Sequence, residues 1–224
     1  MTKFTLELNG AAFPHALGKI ICVGRNYAAH AAELNNPLPT APLLFMKPAS
    51  AAAKLDRPLH LPSGQGAVHH ELEMAILLGA PLRNAEHAEI VNAIAGVGVA
   101  LDLTLREVQD QLKRDGHPWE RAKAFDGAYP LSGFVAASGL DLQNLTLQLW
   151  RNGALQQNGN TGQMLFTALD LIAEISRSFS LQAGDVISTG TPAGVGPLVS
   201  GDELVATLGV KEPGDLLKIA TRVL

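Results

Sequence analysis

The chain has 224 residues, of which 47% are hydrophobic and 17% charged, with a formal net charge of −4, the profile of an ordinary globular protein. No cluster of lysines and arginines indicates nucleic-acid binding, and the single cysteine, Cys22, excludes an internal disulfide and fits a reducing compartment. No signal peptide is recognisable, and no apolar run reaches the roughly 18 residues of a membrane helix, so we expect a cytoplasmic protein without membrane association.

The first half of the chain predicts short strands, two helices and one long loop. The expected strands span 4–8, 19–23, 43–46 and 71–78, and the expected helices span 28–34 and 85–94. Residues 48–68 are rich in proline and glycine, which predicts an extended loop.

The second half predicts a strand over 95–101 that ends at Asp102. Thr104 and Glu107 match a capping box, so a helix is expected from Thr104 to about Leu112. Further along, the sequence predicts a strand over 145–150 with a hairpin turn at Asn152-Gly153, a helix opened by Thr167, a strand over 184–188, a loop over 189–196, and closing strands after Gly201-Asp202. Together these elements indicate one β-rich α+β domain over residues 1–224.

Two glutamates in a predicted strand are the first candidates for chemistry. Glu71 and Glu73 are two apart at the head of the apolar run 74–78, so their side chains share one face of the strand. Like charges held together on a half-buried strand need compensation, which a hard divalent cation provides through oxygen ligands. Asp102 offers a third carboxylate. The alternative is a solvent-facing pair at a strand edge, with its apolar neighbours in the core.

Other candidates are weaker when taken singly. His30 and Glu33 lie three apart on a short helix, where the carboxylate would make the imidazole a better general base, or the two would be only a surface pair. Arg106 and Gln109 share a helix face and could donate to a substrate carboxylate or oxyanion, or could simply be solvated. Lys123, between two alanines and a phenylalanine, is either partly buried beside an anion or exposed on a loop.

The glycine-rich loop over 189–196 resembles a phosphate cradle only superficially. It lacks the Lys-Ser/Thr ending of a P-loop, although its hydroxyl and N–H groups could hold a small carboxylate. The sequence also lacks a Gly-x-Ser-x-Gly elbow, so serine hydrolysis is not indicated.

Seven segments in order resemble the fumarylacetoacetate hydrolase family. They are Cys22 to His30, Phe45 to Ser50, His69 to Glu73, Leu101 to Thr104, Arg106 to Asp110, Pro118 to Asp126, and Thr189 to Gly196. The similarity is greatest to the short, single-domain acylpyruvase and oxaloacetate decarboxylase branch. It implies the family's mixed β-roll with flanking short helices, an N-terminal strand segment over 1–18, and a metal-binding hydrolase core over 19–224.

The resemblance also assigns roles to the candidate residues. It implies that Glu71, Glu73 and Asp102 bind Mg²⁺ or Mn²⁺, and that His30 and Glu33 activate water from a mobile lid. The remaining implied roles are a catalytic donor and four substrate contacts, namely Lys123, Arg25, Arg106, Gln109 and Thr191.

The activity that the resemblance implies first is metal-dependent hydrolysis of the C–C bond of acylpyruvates (2,4-dioxo acids) to pyruvate and a carboxylic acid, by a homodimer. Alternatives left open are oxaloacetate decarboxylation or tautomerisation, a 5-carboxymethyl-2-hydroxymuconate-type isomerase, and a non-catalytic protein that binds a metal or a dicarboxylate.

Overall fold

The structure, a computed structural model, describes residues 4–210 and 214–224. The α-helices found in these ranges are α1 (Ala28–Glu33), α2 (His87–Ala93), α3 (Arg106–Asp115), α4 (Glu120–Lys123) and α5 (Ala168–Ser178), and short 3-10 helices span Ala49–Ala51 and Thr161–Gln163. The strands are β1 (Glu7–Leu8), β2 (Ala11–Ala12), β3 (Ile20–Gly24), β4 (Leu43–Lys47), β5 (Ala52–Lys54), β6 (Val68–His70), β7 (Leu72–Leu78), β8 (Ile94–Leu101), β9 (Thr104–Leu105), β10 (Tyr129–Leu131), β11 (Val135–Ala136), β12 (Thr146–Arg151), β13 (Ala154–Asn160), β14 (Val186–Ser188), β15 (Gly196–Pro197), β16 (Glu203–Gly209) and β17 (Asp215–Arg222). No helix in these two ranges is long and apolar enough to span a membrane.

A mixed sheet forms the centre of the fold. Its strands follow the order β4-β3-β14-β7-β8-β10-β5, with β11 also paired to β8. The β3–β14 and β5–β10 pairs are parallel and the other pairs are antiparallel. A second, antiparallel sheet in the order β13-β12-β16-β17 packs against β7 and β8. The predicted β-rich α+β class is confirmed.

Strand β7 is buried on both faces. Leu72, Met74 and Ile76 lie in the larger hydrophobic cluster, which also holds the buried apolar residues of α2 and α5. Ala75 and Leu77 point the other way, into a smaller cluster. A strand covered on both sides offers no solvent to a charged side chain, so a carboxylate on it needs partners within the protein.

A small sheet of three strands in the order β15-β6-β9 brings distant segments to the start of β7. β6 pairs with β9, which directly precedes α3, and with β15, which ends the loop over 189–196. The residues of that loop and the first turn of α3 therefore lie close to the junction between β6 and β7.

Several local predictions are confirmed. Asn152 and Gly153 have φ angles of 53° and 78° and connect β12 to β13, as the hairpin signal predicts. The Thr167 hydroxyl accepts a hydrogen bond from the Asp170 N–H and caps α5. Helix α1 ends before Asn35, which has a φ of 53°.

Three local predictions are wrong in detail. Residues 48–68 are not all loop, because 52–54 form β5, a strand held by its parallel pairing with β10. Thr104 does not cap a helix: it lies in β9, its hydroxyl donates to the Asp102 carbonyl, and α3 begins at Arg106 instead. Of the strand expected over 4–8, only Glu7–Leu8 pairs as a strand.

Candidate active site

Three buried carboxylates meet where β7 and β8 lie side by side. Leu72 pairs with Leu101, so Glu71, just before β7, faces Asp102, just after β8, and the Asp102 N–H donates to the Glu71 carbonyl at 2.8 Å. One oxygen from each of Glu71, Glu73 and Asp102 lies within 4.8 Å of the others. The three residues are 5%, 2% and 1% exposed, so the solvent-facing alternative for the glutamate pair is wrong.

Lys123 binds two of these carboxylates. Its Nζ lies 2.8 Å from Glu71 Oε2 and 2.6 Å from Asp102 Oδ2. Burial by itself would lower the pKa of Lys123, but the two carboxylates outweigh burial and hold the pKa above its ordinary value. The residue is 2% exposed, so the buried alternative is confirmed, and its ammonium remains a charged donor at neutral pH.

Glu71 is also paired with the first residue of α3. Arg106 donates to Glu71 Oε1 through Nη2 and to Gln109 Oε1 through Nη1, the latter at 2.7 Å. Burial would raise the pKa of Glu71, but Lys123 and Arg106 outweigh it and hold the pKa well below its ordinary value. Glu71 is therefore ionised.

Glu73 has a different environment from the other two carboxylates. Its Oε2 accepts hydrogen bonds from Ser188 Oγ at 2.5 Å and from the Gly190 N–H at 2.9 Å. Within the described residues, no lysine or arginine forms an ion pair with it. Burial first, and then Asp102, raise the pKa of Glu73 to about 8.

The donor set therefore fits a divalent cation. Three carboxylate oxygens converge in a buried site, and one of the carboxylates lacks the positive partner that its ionised form needs. All-oxygen ligation suits Mg²⁺ or Mn²⁺ better than the softer metals that prefer sulfur or imidazole.

His30 and Glu33 form a pair on α1. His30 Nδ1 lies 3.3 Å from Glu33 Oε2, and His30 is only 5% exposed. The Gly194 N–H donates to Glu33 Oε1 at 3.0 Å, so the carboxylate joins α1 to the loop over 189–196. Because a carboxylate can only accept, Nδ1 carries the proton and Nε2 is left as the basic nitrogen.

These groups line one cavity of about 30 Å³. Of the ten predicted site residues, nine line the cavity, and the tenth, Glu33, contacts the lining residue His30. The nine are Arg25, His30, Glu71, Glu73, Asp102, Arg106, Gln109, Lys123 and Thr191. Phe45 and Trp119 pack against each other and add an apolar wall. The volume suits an ion with a water rather than a keto acid, so a substrate requires some of the lining side chains to move apart.

The loop over 189–196 uses its backbone differently from the expectation. Two of its N–H groups are taken by carboxylates of the protein itself, Gly190 by Glu73 and Gly194 by Glu33. The loop thus positions two site residues, and its contribution to the cavity is the Thr191 side chain.

Sequence reasoning missed Lys47 at the end of β4. Lys47 is 1% exposed, its Nζ lies 2.8 Å from Asp102 Oδ1, and it donates to the carbonyls of Leu103, Lys123 and Ala128. Asp102 lines the cavity and Lys47 does not, so Lys47 holds the carboxylate from outside the cavity. The signal in the sequence was a lysine closing an otherwise apolar strand, a pattern that also fits an ordinary exposed strand end.

Comparison with known proteins shows what this chain is similar to. Residues 19–223 match the family model described as fumarylacetoacetate (FAA) hydrolase C-terminal. Oxaloacetate tautomerase YcgM of Escherichia coli K12 is 50% identical over 217 residues, which cover 96% of each chain. A fumarylacetoacetate isomerase/hydrolase candidate from Oleispira antarctica has a crystal structure that matches with a TM-score of 0.95 and 56% identity, over 98% of this chain and 99% of that one.

A more distant relative has been crystallised with a metal ion. The fumarylpyruvate hydrolase of Pseudomonas aeruginosa, crystallised with Mn²⁺ and pyruvate, matches with a TM-score of 0.90 and 30% identity, over 99% of this chain and 96% of that one. The similarity of this structure and of the Oleispira antarctica structure over nearly the whole chain confirms the expected β-roll with short flanking helices.

Proposed function

Because this chain belongs to the fumarylacetoacetate hydrolase family, we propose that it is a metal-dependent enzyme that interconverts the keto and enol forms of oxaloacetate. The observation that carries the proposal is a buried carboxylate triad and a His–Glu pair in one cavity. The sequence alone placed acylpyruvate hydrolysis first. The similarity to an oxaloacetate tautomerase supports the alternative better.

We propose that Glu71, Glu73 and Asp102 hold Mg²⁺ or Mn²⁺, which when bound would supply a Lewis acid for an oxygen-rich, enolate-like transition state. The choice between the two ions is open to a direct test by metal replacement.

His30 is the acid–base residue in this proposal. Its Nε2 takes a proton from C3 of the keto form, the C3–H electron pair becomes the C2=C3 double bond, and the π pair of the carbonyl moves to the C2 oxygen. That oxygen takes a proton from water, and the proton on Nε2 returns to the hydroxide that is left. Glu33 holds the ring in the required tautomer and stabilises the imidazolium that forms. Lys123 cannot act as the base, because two carboxylates keep it protonated, and instead donates a hydrogen bond to the developing negative oxygen.

The substrate carboxylates meet the donors on α3 and the loop. Arg106 occupies Gln109 Oε1, so the amide N–H groups of Gln109 remain for a substrate oxygen. Arg25 and Thr191 line the same cavity and complete the proposed binding set. A small dicarboxylate keto acid matches this concentration of donors.

Acylpyruvate hydrolysis is the second candidate, and the His30–Glu33 pair is the observation that favours it. The same pair could take a proton from water for attack on a 4-keto carbon. Oxaloacetate decarboxylation needs no such base. A His30→Ala variant should therefore lose hydrolysis and tautomerisation but keep decarboxylation.

The test is turnover by the purified protein with Mg²⁺ and with EDTA. Enol–keto interconversion of oxaloacetate, release of pyruvate from it, and hydrolysis of acetylpyruvate are measured side by side. We expect metal-dependent interconversion as the fastest of the three. Tight metal binding without any turnover would support the non-catalytic alternative and overturn the proposal. Activity unaffected by EDTA would also overturn it. The isomerase alternative predicts turnover of a hydroxymuconate substrate instead.

We also propose the homodimer and the cytoplasmic location expected from the sequence. Light scattering of the purified protein measures the first, and fractionation of the source cells measures the second.

A further inference from the structure

Gln157 is a buried polar residue that the proposed mechanism does not use. It lies on β13 with 0% exposure, whereas the adjacent Gln156 is half-buried and bonds only to the nearby Ala154 carbonyl. The Gln157 side chain makes four hydrogen bonds, two through Oε1 and two through Nε2. All its hydrogen-bonding groups are therefore engaged, which indicates a specific positioning role.

Two backbone groups fix which way the Gln157 amide points. The Leu72 N–H, which can only donate, reaches Oε1 at 3.0 Å, and the Pro192 carbonyl, which can only accept, receives Nε2 at 2.8 Å. If the amide were flipped, its NH₂ group would face the Leu72 N–H and its oxygen would face the Pro192 carbonyl, and neither contact could be a hydrogen bond. The remaining hydrogen on Nε2 must then go to Thr191 Oγ1, which lies 2.7 Å away.

This bond decides the role of the Thr191 hydroxyl. Its oxygen accepts from Gln157, so its own hydrogen is available to another group. Within residues 4–210 and 214–224, the one acceptor in reach is the Pro192 carbonyl, which is 3.4 Å away and already accepts from Gln157. Thr191 lines the cavity, so this hydrogen is free to bond to a ligand oxygen there.

We infer that Gln157 is a positioning residue that presents the Thr191 hydroxyl as a hydrogen-bond donor to a carboxylate or keto oxygen of the substrate. The inference rests on the proposed function for the class of ligand, an α-keto dicarboxylate. It adds a determinant of affinity that lies outside the cavity lining.

The same side chain connects the substrate side of the cavity to the carboxylate side. Gln157 Oε1 accepts from His70 Nδ1 at 3.0 Å and from the Leu72 N–H, the two residues that flank Glu71. Because Oε1 cannot donate, His70 carries its proton on Nδ1. One amide thus fixes the loop that holds Thr191 relative to the strand junction that holds Glu71.

The experiment measures oxalate binding by calorimetry at saturating Mg²⁺, which does not depend on turnover. In Gln157→Glu, the new carboxylate can still accept from Leu72 but cannot donate to Thr191, whose hydroxyl then turns to donate to it. Gln156→Glu makes the same substitution at the neighbouring residue and serves as the matched control. Thr191→Val removes the hydroxyl at nearly constant shape, and Thr191→Ser keeps it.

We expect Gln157→Glu and Thr191→Val each to weaken oxalate binding by about tenfold or more, as for a lost hydrogen bond to a charged acceptor. The double variant should bind no more weakly than the weaker single variant, because both changes remove one donor. Gln156→Glu and Thr191→Ser should stay within about twofold of the wild type.

Multiplicative losses in the double variant, or wild-type affinity in either single variant, would overturn the inference. If Gln157→Glu does not fold, the Thr191→Val and Thr191→Ser pair still tests the inference, since equal affinity in those two excludes a donor role for Thr191 and overturns it. A protein that binds oxalate in this way but does not turn over oxaloacetate refutes the proposed function and leaves the inference standing.

Discussion

Replacing Lys47 with methionine tests how the carboxylate cluster is held together. Methionine keeps most of the length of the side chain but removes an ammonium that is 2.8 Å from Asp102 Oδ1 and bonds to three carbonyls. Removing one partner of a buried ion pair costs about 3–5 kcal/mol. Lys123 still pairs with Asp102, so we place Lys47→Met at the lower end, about 3 kcal/mol.

The assay is urea unfolding of the metal-free protein. With an m-value of about 3 kcal/mol/M, a loss of this size moves the midpoint down by about 1 M at unchanged slope. Lys54→Met is the control, because Lys54 pairs with Glu7 at a surface where both side chains are partly exposed, and it should cost less than about 1 kcal/mol. Equal effects of the two variants would refute the argument that Lys47 neutralises a buried charge.

Three further predictions concern the pair on α1, the loop and the metal. Glu33→Gln should lower kcat for oxaloacetate interconversion by about 100-fold or more while Mg²⁺ still stabilises the protein, because the His30 ring loses its carboxylate partner. An unchanged kcat would contradict the role of Glu33 in supporting His30 as the base. Gly194→Ala should lower the thermal unfolding temperature far more than Gly153→Ala. A Cβ at Gly194 would lie 2.0 Å from the Gln156 carbonyl oxygen, whereas a Cβ at Gly153 meets nothing within 4 Å. Similar losses in the two variants would contradict this, because they would mean that the loop backbone shifts at little cost. Mg²⁺ at 100 times its Kd should raise the free energy of unfolding by about 2.7 kcal/mol, reversibly with EDTA; no rise would exclude a metal held by the folded state.

The site could be predicted from the sequence largely because its chemistry lies in short segments. His30 and Glu33 are one helical turn apart, and Glu71 and Glu73 alternate along a strand, so each pair is recognisable locally. Asp102 joins the glutamates because β7 pairs antiparallel with β8. The family resemblance implied that the three carboxylates act together, but no single motif showed it.

The residues that support the site could not be predicted in the same way. Lys47 bonds to the Ala128 carbonyl 81 positions away, and Gln157 bonds to His70 87 positions away. In the sequence, Gln157 lies in a polar stretch after a hairpin turn, which resembles an exposed strand. Only the packing of the second sheet against β7 turns it inward.

The errors have the same origin. The pattern at Thr104 fits a capping box, but pairing with His69 extends the backbone there and the hydroxyl bonds to the Asp102 carbonyl instead. β5 is a short segment with little intrinsic strand preference, and its partner β10 comes far later in the chain. In both places a long-range contact outweighs the local signal.

The central claim is that oxaloacetate chemistry depends on a cation held by the three carboxylates. The most direct measurement is the rate of enol–keto interconversion, followed by the ultraviolet absorbance of the enol, for the wild type, Glu73→Gln and the control Glu203→Gln, whose side chain is exposed. We predict that the wild type and Glu203→Gln lose activity with EDTA and regain it with Mg²⁺, and that Glu73→Gln is inactive at the same Mg²⁺ concentration. Full activity of Glu73→Gln, or of the wild type in EDTA, would contradict the claim.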